Sequence, residues 1–517
     1  MSPCRRRTVL LGSLAIVLAS AVLMPVAPTG AQRPIAEKPG AAGAVQAPAA
    51  SANPLAARLA RLTADPKFAK VRLAAHVVDV QSGQVLLAAD ENTPMTPAST
   101  MKLATTAAAL HVLGPDFKLR TVVGLLGDDL VIVGGGDPNL SGRFYGGDIT
   151  AAVKRWAAVL RGRGITAVKG DLVLDDSLFE AQWTHPNWPA ADFQWWYQAP
   201  VGALVLNDSC VELRVRPGAT DGAAAIVRVA PMTEYVTLVG QIQTRAGGGN
   251  NPRIDRVRGT ERFQLGGTVP LKSGTQTYFR TVHDPGLFAA TVIRETLQAE
   301  GVTVAGQVVR RRVWTDGWHL PPGFKAVVIH NSTLGQSVAV ANTRSQNLYA
   351  ECIVKVLGAH ASSKERPWPA AQGSWALGCR TVAQTLAAMK VPTDGCAFDD
   401  GCGLSRRNRL TARTLTELLV TMHRGPHAAV WFDSLAVSGD GDGSLRSRMR
   451  DESVRGRVHA KTGSLRDTRS LAGYVRTVKG RTIAFALMVD QLPYNSYHHS
   501  AVKQWMDDTC RDLVAMW

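Results

Sequence analysis

The chain of 517 residues is 45% hydrophobic and 19% charged, a composition typical of globular proteins rather than disordered or fibrous ones, and its length favours two or three domains. Only 6% of the residues are aromatic and no second long apolar segment follows the N-terminal one, which excludes a membrane protein with several transmembrane helices. The net charge of +17 favours an anionic partner, and the lack of a basic run with interleaved aromatic residues argues against nucleic acid.

The N-terminus has the pattern of an export signal. Arg5, Arg6 and Arg7 precede an apolar segment over residues 9–26, and the small residues Gly30 and Ala31 follow it. We therefore predict a signal peptide over residues 1–31, with an uncleaved anchor and twin-arginine export as alternatives. Residues 32–54 are rich in Ala, Pro and Gly and are predicted to form a linker. In an exported protein the positive charge suits a cell-wall polymer or peripheral association with a membrane, and a basic chain without a specific partner is the alternative.

The first predicted elements are a hairpin and a helix. Apolar runs over 73–80 and 84–89 flank Gln81-Ser82-Gly83 and predict two antiparallel strands. Thr96 and Pro97 then predict the start of a helix, with Thr96 as its cap, and Gly114 predicts its end.

Short strands and glycine-rich turns dominate residues 117–312, with helices predicted only at 150–160 and 287–299. Helices return from residue 326, notably over 343–357 and 381–389. Strands over 470–475 and 482–489 and a final helix from residue 500 close the chain. The pattern indicates a host domain in two pieces, 55–116 and 326–517, around a β-rich insertion.

The cysteines allow two interpretations, disulfides or free thiols. Cys4 falls in the predicted signal, and six others remain: Cys210, Cys352, Cys379, Cys396, Cys402 and Cys510. An even number in an exported chain permits disulfides, and Cys396 and Cys402 are near enough in sequence to close a loop. Buried free thiols are the alternative. Because no CxxC pair or other metal-ligand spacing occurs, we predict neither a metal nor a cofactor.

Three short motifs bear reactive side chains. In Ser99-Thr100-Met101-Lys102, at the start of the predicted helix, the first and fourth residues share a face, so the lysine could take the proton of the serine hydroxyl. Burial would lower the pKa of this lysine and make it a base. Alone, this motif is a weak signal.

The second and third motifs lie far along the chain. Ser345-Gln346-Asn347, early in a predicted helix, offers a hydroxyl for proton relay and an amide for a substrate amide; helix capping is the alternative. Lys461-Thr462-Gly463 lies just before Ser464 on a predicted strand and could hold a substrate carboxylate, with a solvated turn as the alternative.

The order of the three motifs is more specific than any one of them. In this order they are the set found in penicillin-binding proteins and β-lactamases. Three longer stretches make the resemblance to one family more specific. They are Gly135-Gly136-Asp137-Pro138, Asp400-Gly401-Cys402-Gly403-Leu404-Ser405-Arg406 and Asp442-Gly443-Ser444-Leu445-Arg446. With these stretches, residues 55–517 resemble the D-alanyl-D-alanine carboxypeptidases/endopeptidases of class C penicillin-binding proteins (DacB-like, peptidase family S13).

This resemblance implies an α/β (α+β) fold, a penicillin-binding/β-lactamase-like transpeptidase domain with helices around an antiparallel sheet. It further implies two inserted domains, which we place at 117–210 with 281–325 and at 211–280. The expected activity is cleavage of peptidoglycan stem peptides and cross-links, inhibited by β-lactam antibiotics, without a cofactor and in the periplasm.

The resemblance also implies roles for individual residues. Ser99 would be the nucleophile, Lys102 its base and Ser345 a proton relay. Asn347 would bind the substrate amide, and Lys461, Thr462 and Gly463 would form the strand that holds the terminal carboxylate. The backbone N–H groups of Ser99 and Ser464 would form an oxyanion hole. Arg406 and Asp192 fall where the family contacts the side chain of the stem peptide, and a solvated loop acid is the alternative for Asp192.

One residue departs from the family pattern. The family often has Gln at the position of Arg466. This difference leaves open which side chain of the stem peptide is selected, but it does not affect the acylation chemistry. A serine β-lactamase and a non-catalytic cell-wall binding protein are the alternative functions. The large insertion argues against a β-lactamase, and the intact motif side chains argue against a non-catalytic binding protein.

Overall fold

The computed structural model describes residues 53–363 and 369–516. Its helices are α1 Pro54–Ala64, α2 Met101–Leu113, α3 Ala151–Gly162, α4 Pro285–Ala299, α5 Leu334–Thr343, α6 Asn347–His360, α7 Trp375–Ala388, α8 Ala412–Arg424, α9 Ala428–Asp433 and α10 Ser496–Met516. Within those residues, no helix combines the length and apolarity that a bilayer crossing requires. The predicted signal and most of the predicted linker lie outside the described residues.

The strands group into two regions of the chain. The outer region has β1 Arg72–Asp79, β2 Val85–Ala89, β17 Ala436–Val437, β18 Val458–Leu465, β19 Thr468–Arg476 and β20 Thr482–Asp490. The inner region has β3 Lys118–Leu126, β4 Asp129–Val133, β5 Ala167–Val168, β6 Leu172–Asp175, β7 Cys210–Arg216, β8 Ile226–Ala230, β9 Thr237–Gly240, β10 Gln243–Arg245, β11 Asn251–Arg256, β12 Arg262–Pro270, β13 Gln276–Thr281, β14 Thr303–Val304, β15 Val308–Arg310 and β16 Lys325–Thr333.

The outer strands form one six-stranded antiparallel sheet in the order β17-β18-β19-β20-β1-β2. Its two faces are both buried, as β20 illustrates: Ala484, Ala486 and Met488 join the core with α2, α6 and α8, whereas the alternate residues Ile483, Phe485 and Leu487 join the core with α1 and α10. Since successive side chains of a strand point to opposite faces, helices cover both faces of this sheet. The predicted layering of helices around an antiparallel sheet is thus observed.

The inner strands build smaller sheets between α2 and α5. A mixed five-stranded sheet has the order β15-β6-β4-β3-β16. A three-stranded sheet has the order β13-β7-β8, and a four-stranded sheet contains β9, β10, β11 and β12. Trp156 of α3 and Ile293 of α4 pack into a core that these sheets share. Part of the inserted region therefore packs around a core separate from that of α2 and α6, whereas other inserted residues, such as Phe179 and Val201, join the core of α2 and α6. Strand β16 pairs with β3, so the boundary expected at residue 326 belongs after this strand, near Leu334.

Local structure departs from the sequence predictions at three places. Thr96 does not cap the helix, because a 3₁₀ turn over Ala98–Thr100 precedes α2 and the backbone N–H of Thr96 contacts Asp490 instead. The helix predicted over 343–357 is observed as α6, but it begins at Asn347, because α5 ends at Thr343 and Ser345 lies between the two helices. The loop disulfide between Cys396 and Cys402 is absent, and all six cysteines in the described residues are free thiols.

Candidate active site

Ser99 lies in the 3₁₀ turn that leads into α2, directly against the six-stranded sheet. Two hydroxyl groups, those of Thr100 and of Ser470 on β19, each donate to the carbonyl of Pro97 at 2.7 Å. These bonds hold the turn between its own helix and the sheet. Ser99 is half-buried and faces a cleft, as predicted for a reactive side chain at a helix start.

Lys102 lies one turn further along and is fully buried. Its Nζ donates to Ser99 Oγ at 3.0 Å, to Asn347 Oδ1 at 2.7 Å and to the Cys402 carbonyl at 2.9 Å. None of these acceptors is a carboxylate. Burial lowers the pKa of Lys102, although the more distant carboxylates of Glu351 and Asp400 oppose the shift. A fully buried amine with a lowered pKa, next to a serine hydroxyl, is what proton abstraction requires.

Ser345 and Lys461 come together from two separate elements. Ser345 joins α5 to α6 in the left-handed region, with φ of 61°, rather than lying on a helix as predicted. Lys461 is fully buried on β18, and its Nζ donates to Ser345 Oγ and to the Thr462 carbonyl, both at 2.7 Å. Burial and the charge of Lys102 lower the pKa of Lys461. The second and third motifs are therefore in direct contact.

Asn347 is the first residue of α6 and connects the site to a further segment. Its Oδ1 accepts from Lys102, and its Nδ2 donates to the Tyr197 carbonyl at 2.6 Å. Because one Asn347 amide contacts both groups, the segment that contains Tyr197 is held next to the first motif.

Gly463 lets strand β18 approach the turn that contains Ser99. A Cβ at this position would stand 2.0 Å from Ser470 Oγ, 2.8 Å from the Pro97 carbonyl and 3.1 Å from the backbone nitrogen of Ser99. No side chain fits there. The adjacent residues face the other way: Ser464 is exposed, and Thr462 donates its hydroxyl to Ser444 Oγ at 2.9 Å.

A cleft of about 900 Å³ opens above these groups. Seven of the ten predicted site residues line it: Ser99, Asp192, Ser345, Asn347, Arg406, Thr462 and Ser464. Lys102 and Lys461 lie beneath its floor and Gly463 behind it. The cleft therefore contains a polar centre with reactive serines over two buried lysines.

Two predicted residues of the cleft wall have partners within the protein. Asp192 lies near Tyr197, and burial together with this carboxylate raises the pKa of the Tyr197 hydroxyl to about 12. Arg406 forms an ion pair with Asp467. Although burial opposes the shift, this guanidinium holds the pKa of Asp467 below its ordinary value. Arg406 thus enters the cleft already paired with an acid.

Further cations line the cleft next to Ser464. Arg466, where the family often has Gln, is exposed and lies 4.8 Å from the ring centroid of Tyr494. Arg469 donates to His499 Nδ1 at 2.9 Å. Neither Arg469 nor Tyr494 belongs to a motif, and both reach the cleft only through the folding of β19 and of the loop after β20, so no sequence pattern pointed to them.

Glu351 is a second residue that the motifs did not reveal. It is fully buried on α6, one turn after Asn347, and accepts from the backbone N–H of Cys402 at 2.7 Å and of Gly401 at 3.1 Å. Trp375 Nε1 donates to it at 2.6 Å. Since the Cys402 carbonyl accepts from Lys102, Glu351 positions the backbone that holds the lysine. The available signal was its spacing, one helical turn after Asn347 and so on the same face of the helix.

The stretch Asp400–Arg406 is a loop pressed against the turn of Ser99. Asp400 accepts from the backbone N–H of Gly403 at 2.7 Å and of Ser405 at 2.6 Å. A Cβ at Gly403 would stand 1.8 Å from the Ala98 carbonyl. Glu351, Asp400 and Cys402 place potential metal ligands within 4.8 Å of one another, but both carboxylates already accept several N–H groups. We assign no metal to this cluster.

Comparison with known proteins gives consistent matches over most of the chain. The profile of the D-Ala-D-Ala carboxypeptidase 3 (S13) family matches residues 55–512. The D-alanyl-D-alanine carboxypeptidase of Actinomadura sp. (strain R39) is 34% identical over 432 residues, which cover 80% of this chain and 76% of the relative.

Two solved structures show the same fold. The structure of penicillin binding protein 4 of Haemophilus influenzae has a TM-score of 0.72 at 20% identity, over 87% of this chain and 98% of that one. Its complex with a β-lactam has a TM-score of 0.67 at 20% identity, over 86% and 96% of the two chains. This likeness confirms the predicted fold class.

Proposed function

Because the chain belongs to the D-Ala-D-Ala carboxypeptidase 3 (S13) family and is a serine-type D-Ala-D-Ala carboxypeptidase, we propose that it works through an acyl-enzyme on Ser99. The substrates in this proposal are peptidoglycan stem peptides and the cross-links between them. The observation that carries it is the convergence of Ser99 Oγ, Lys102 Nζ and the contact between Ser345 and Lys461 in one cleft.

Acylation begins with neutral Lys102, which takes the proton of Ser99 as the oxygen attacks the carbonyl carbon of the penultimate D-alanine. The 3.0 Å contact between the two groups is within the reach of proton transfer. The C–N bond then breaks, D-alanine leaves, and its amine receives a proton relayed by the Ser345 hydroxyl. Ser99 Oγ keeps the acyl group, so the atoms and protons balance.

The developing negative charge on the carbonyl oxygen needs N–H donors. We assign this role to the backbone N–H groups of Ser99 and Ser464, which lie on the turn and the strand that Gly463 allows to approach each other. Loss of one donor in a comparable site lowers the rate by about 10²–10³-fold.

The terminal carboxylate of the substrate would bind at Thr462 and over buried Lys461. Burial lowers the pKa of Lys461 when no ligand is bound, and an arriving carboxylate favours its charged form. The carboxylate thus gains a charged hydrogen bond as the lysine gains a counter-ion. Asn347 would bind the substrate amide. Asp192, which lines the opposite wall, would pair with an ammonium group on the stem peptide, and Arg406, held by Asp467, would border the same side chain.

Water completes the reaction by attacking the acyl-enzyme. Hydrolysis of an uncross-linked stem is a carboxypeptidase reaction, and hydrolysis of a cross-link, where the leaving amine belongs to a second stem, is an endopeptidase reaction. β-Lactams would acylate the same serine. A substrate in the cell wall requires export, and we propose the periplasm as the location.

The decisive experiment is the intact mass of the protein after brief exposure to benzylpenicillin. We expect a persistent adduct of one drug molecule on the wild type and none on Ser99→Ala. Ser500→Ala is a matched control, because Ser500-Ala501-Val502-Lys503 repeats the spacing of the first motif on α10 and Ser500 itself is exposed; this variant should acylate like the wild type.

Two results would overturn the proposal. Destruction of the drug without an adduct would identify a β-lactamase, and survival of the drug without an adduct would favour a binding protein. For the acylating protein, release of D-alanine from a stem peptide and cleavage of a cross-linked dimer, measured side by side, give the balance of the two activities.

A further inference from the structure

A second cavity, of about 320 Å³, adjoins the catalytic cleft. One segment of the chain lines both spaces: Pro189 and Asp192 face the cleft, whereas Trp188, Ala190 and Phe193 face the second cavity. The opposite wall comes from the loop after β11, in the inserted region. Its volume suits a group the size of one sugar ring or one amino-acid residue.

The cavity is lined by cations without an acid among its described residues. The guanidinium groups of Arg256 and Arg258 lie 4.9 Å and 4.5 Å from the ring centroid of Phe193. Arg256 is 6% exposed, yet its donors reach only uncharged acceptors, the carbonyls of Thr260 and Phe193 and the Thr281 hydroxyl. Neither arginine forms an ion pair within the described part of the chain.

The acid that acts on Arg256 forms no direct ion pair with it in the described part of the chain. Glu261 acts on Arg256 through space. Its carboxylate is occupied by the Tyr235 hydroxyl at 2.7 Å and by the backbone N–H groups of His283 and Asp284 at about 3 Å. A buried charge without a counter-ion is costly, so the site is suited to an anion.

Two polar atoms of side chains that line the cavity are buried and lack hydrogen-bond partners from the residues that the structure describes, and a ligand in the cavity would reach them once these side chains turn. Arg256 Nε and Gln198 Oε1 have no hydrogen-bond partner among the described residues, and Gln198 is only 2% exposed. The first atom is a donor and the second an acceptor. A bare anion would satisfy only the arginine, so the full set of groups calls for a ligand that also contributes an N–H or O–H.

We propose that this cavity binds a carboxylate group on a molecule that also has an acylamino N–H, with Trp188 and Phe193 as its apolar walls. The carboxylate pairs with Arg256 and Arg258, and the N–H donates to Gln198 Oε1. A cell-wall polymer has two sources of such a group, an N-acetylated sugar acid of the glycan and the carboxylate of an N-acylated amino acid in the peptide. Because segment 188–193 lines both spaces, the occupant anchors the polymer beside the cleft.

The test is calorimetric titration of the full chain with three probes: N-acetylmuramic acid for the glycan source, N-acetyl-D-alanine for the peptide source, and uncharged N-acetylglucosamine. We expect one of the two acids to bind the wild type at least about 10-fold more tightly than the uncharged sugar. The tighter acid identifies the source. Since the measurement is of binding alone, it does not depend on whether Ser99 is acylated.

Two variants test whether the acid binds in this cavity. Arg258→Gln, at an exposed residue, and Gln198→Leu should each weaken the preferred acid by about 10-fold. Arg262→Gln is the matched control, because this exposed arginine lies on neighbouring β12 outside the cavity; it should bind like the wild type. The proposal is overturned if neither acid binds the wild type below about 10 mM, or if the acid binds Arg258→Gln and Gln198→Leu as tightly as the wild type.

Discussion

Replacement of Glu351 by Gln tests the hydrogen-bond network beneath Lys102. The Glu351 carboxyl accepts three N–H groups, from Gly401, Cys402 and Trp375. Burial, and then the charge of Asp400, raise the pKa of Glu351 from its ordinary value of 4.5 to about 7. The variant keeps the shape of the side chain but cannot titrate.

The sign and size of the effect follow from this raised pKa. In the unfolded chain the carboxyl loses its proton near pH 4.5, whereas in the folded protein it keeps the proton until about pH 7. Between these values the folded state binds more protons, so the free energy of unfolding falls as the pH rises from 4.5 to 7 and is then level. The difference corresponds to about 3 kcal/mol.

Urea unfolding of wild type and Glu351→Gln at pH 5, 6, 7 and 8 measures this slope. Buried histidines titrate in the same range in both proteins, so the quantity of interest is the difference between the two curves. We expect the wild type to lose about 3 kcal/mol more than the variant. Glu452→Gln, at an exposed glutamate, should follow the wild type. Parallel curves for wild type and Glu351→Gln would refute the role assigned to burial.

Three further predictions concern the site and the thiols. Gly403→Ala should reduce D-alanine release by about 100-fold, because its Cβ would displace the Ala98 carbonyl next to Ser99. Gly247→Ala is the control, because the space around Gly247 is open. Equal rates of D-alanine release by the wild type and Gly403→Ala would contradict this packing argument. Arg466→Gln removes a cation from the cleft, so the ratio of kcat/KM for a cationic over a neutral stem peptide should rise about 2- to 10-fold. An unchanged ratio would show that Arg466 has no role in substrate selectivity. The five buried cysteines should resist a thiol reagent until urea is added, because burial raises the pKa of thiols such as Cys402. Thiols that stay non-reactive in urea would indicate disulfides.

The elements that could be predicted are those with a strong local pattern. Short apolar runs bounded by turn residues predicted the hairpin of β1 and β2 and the strands β19 and β20, and Gly114 predicted the end of α2. The break between α5 and α6 was not visible, because Ser345 adopts a left-handed φ that only its surroundings stabilise. The capping role of Thr96 also failed because of its surroundings: Ser470 of the sheet donates to the Pro97 carbonyl, and a 3₁₀ turn separates Thr96 from α2.

The sequence by itself determined which side chains are available: three motifs in a fixed order provide the serines, lysines and amide of the proposed reaction, whatever their distance along the chain. Only the tertiary structure decided which groups meet. The contact of Lys461 with Ser345 and the support of the Cys402 backbone by Glu351 join residues from separate elements. The cations of the second cavity likewise meet an aromatic ring from a distant segment. Such contacts depend on how sheets and helices pack, and packing is a property of the whole chain rather than of any local pattern.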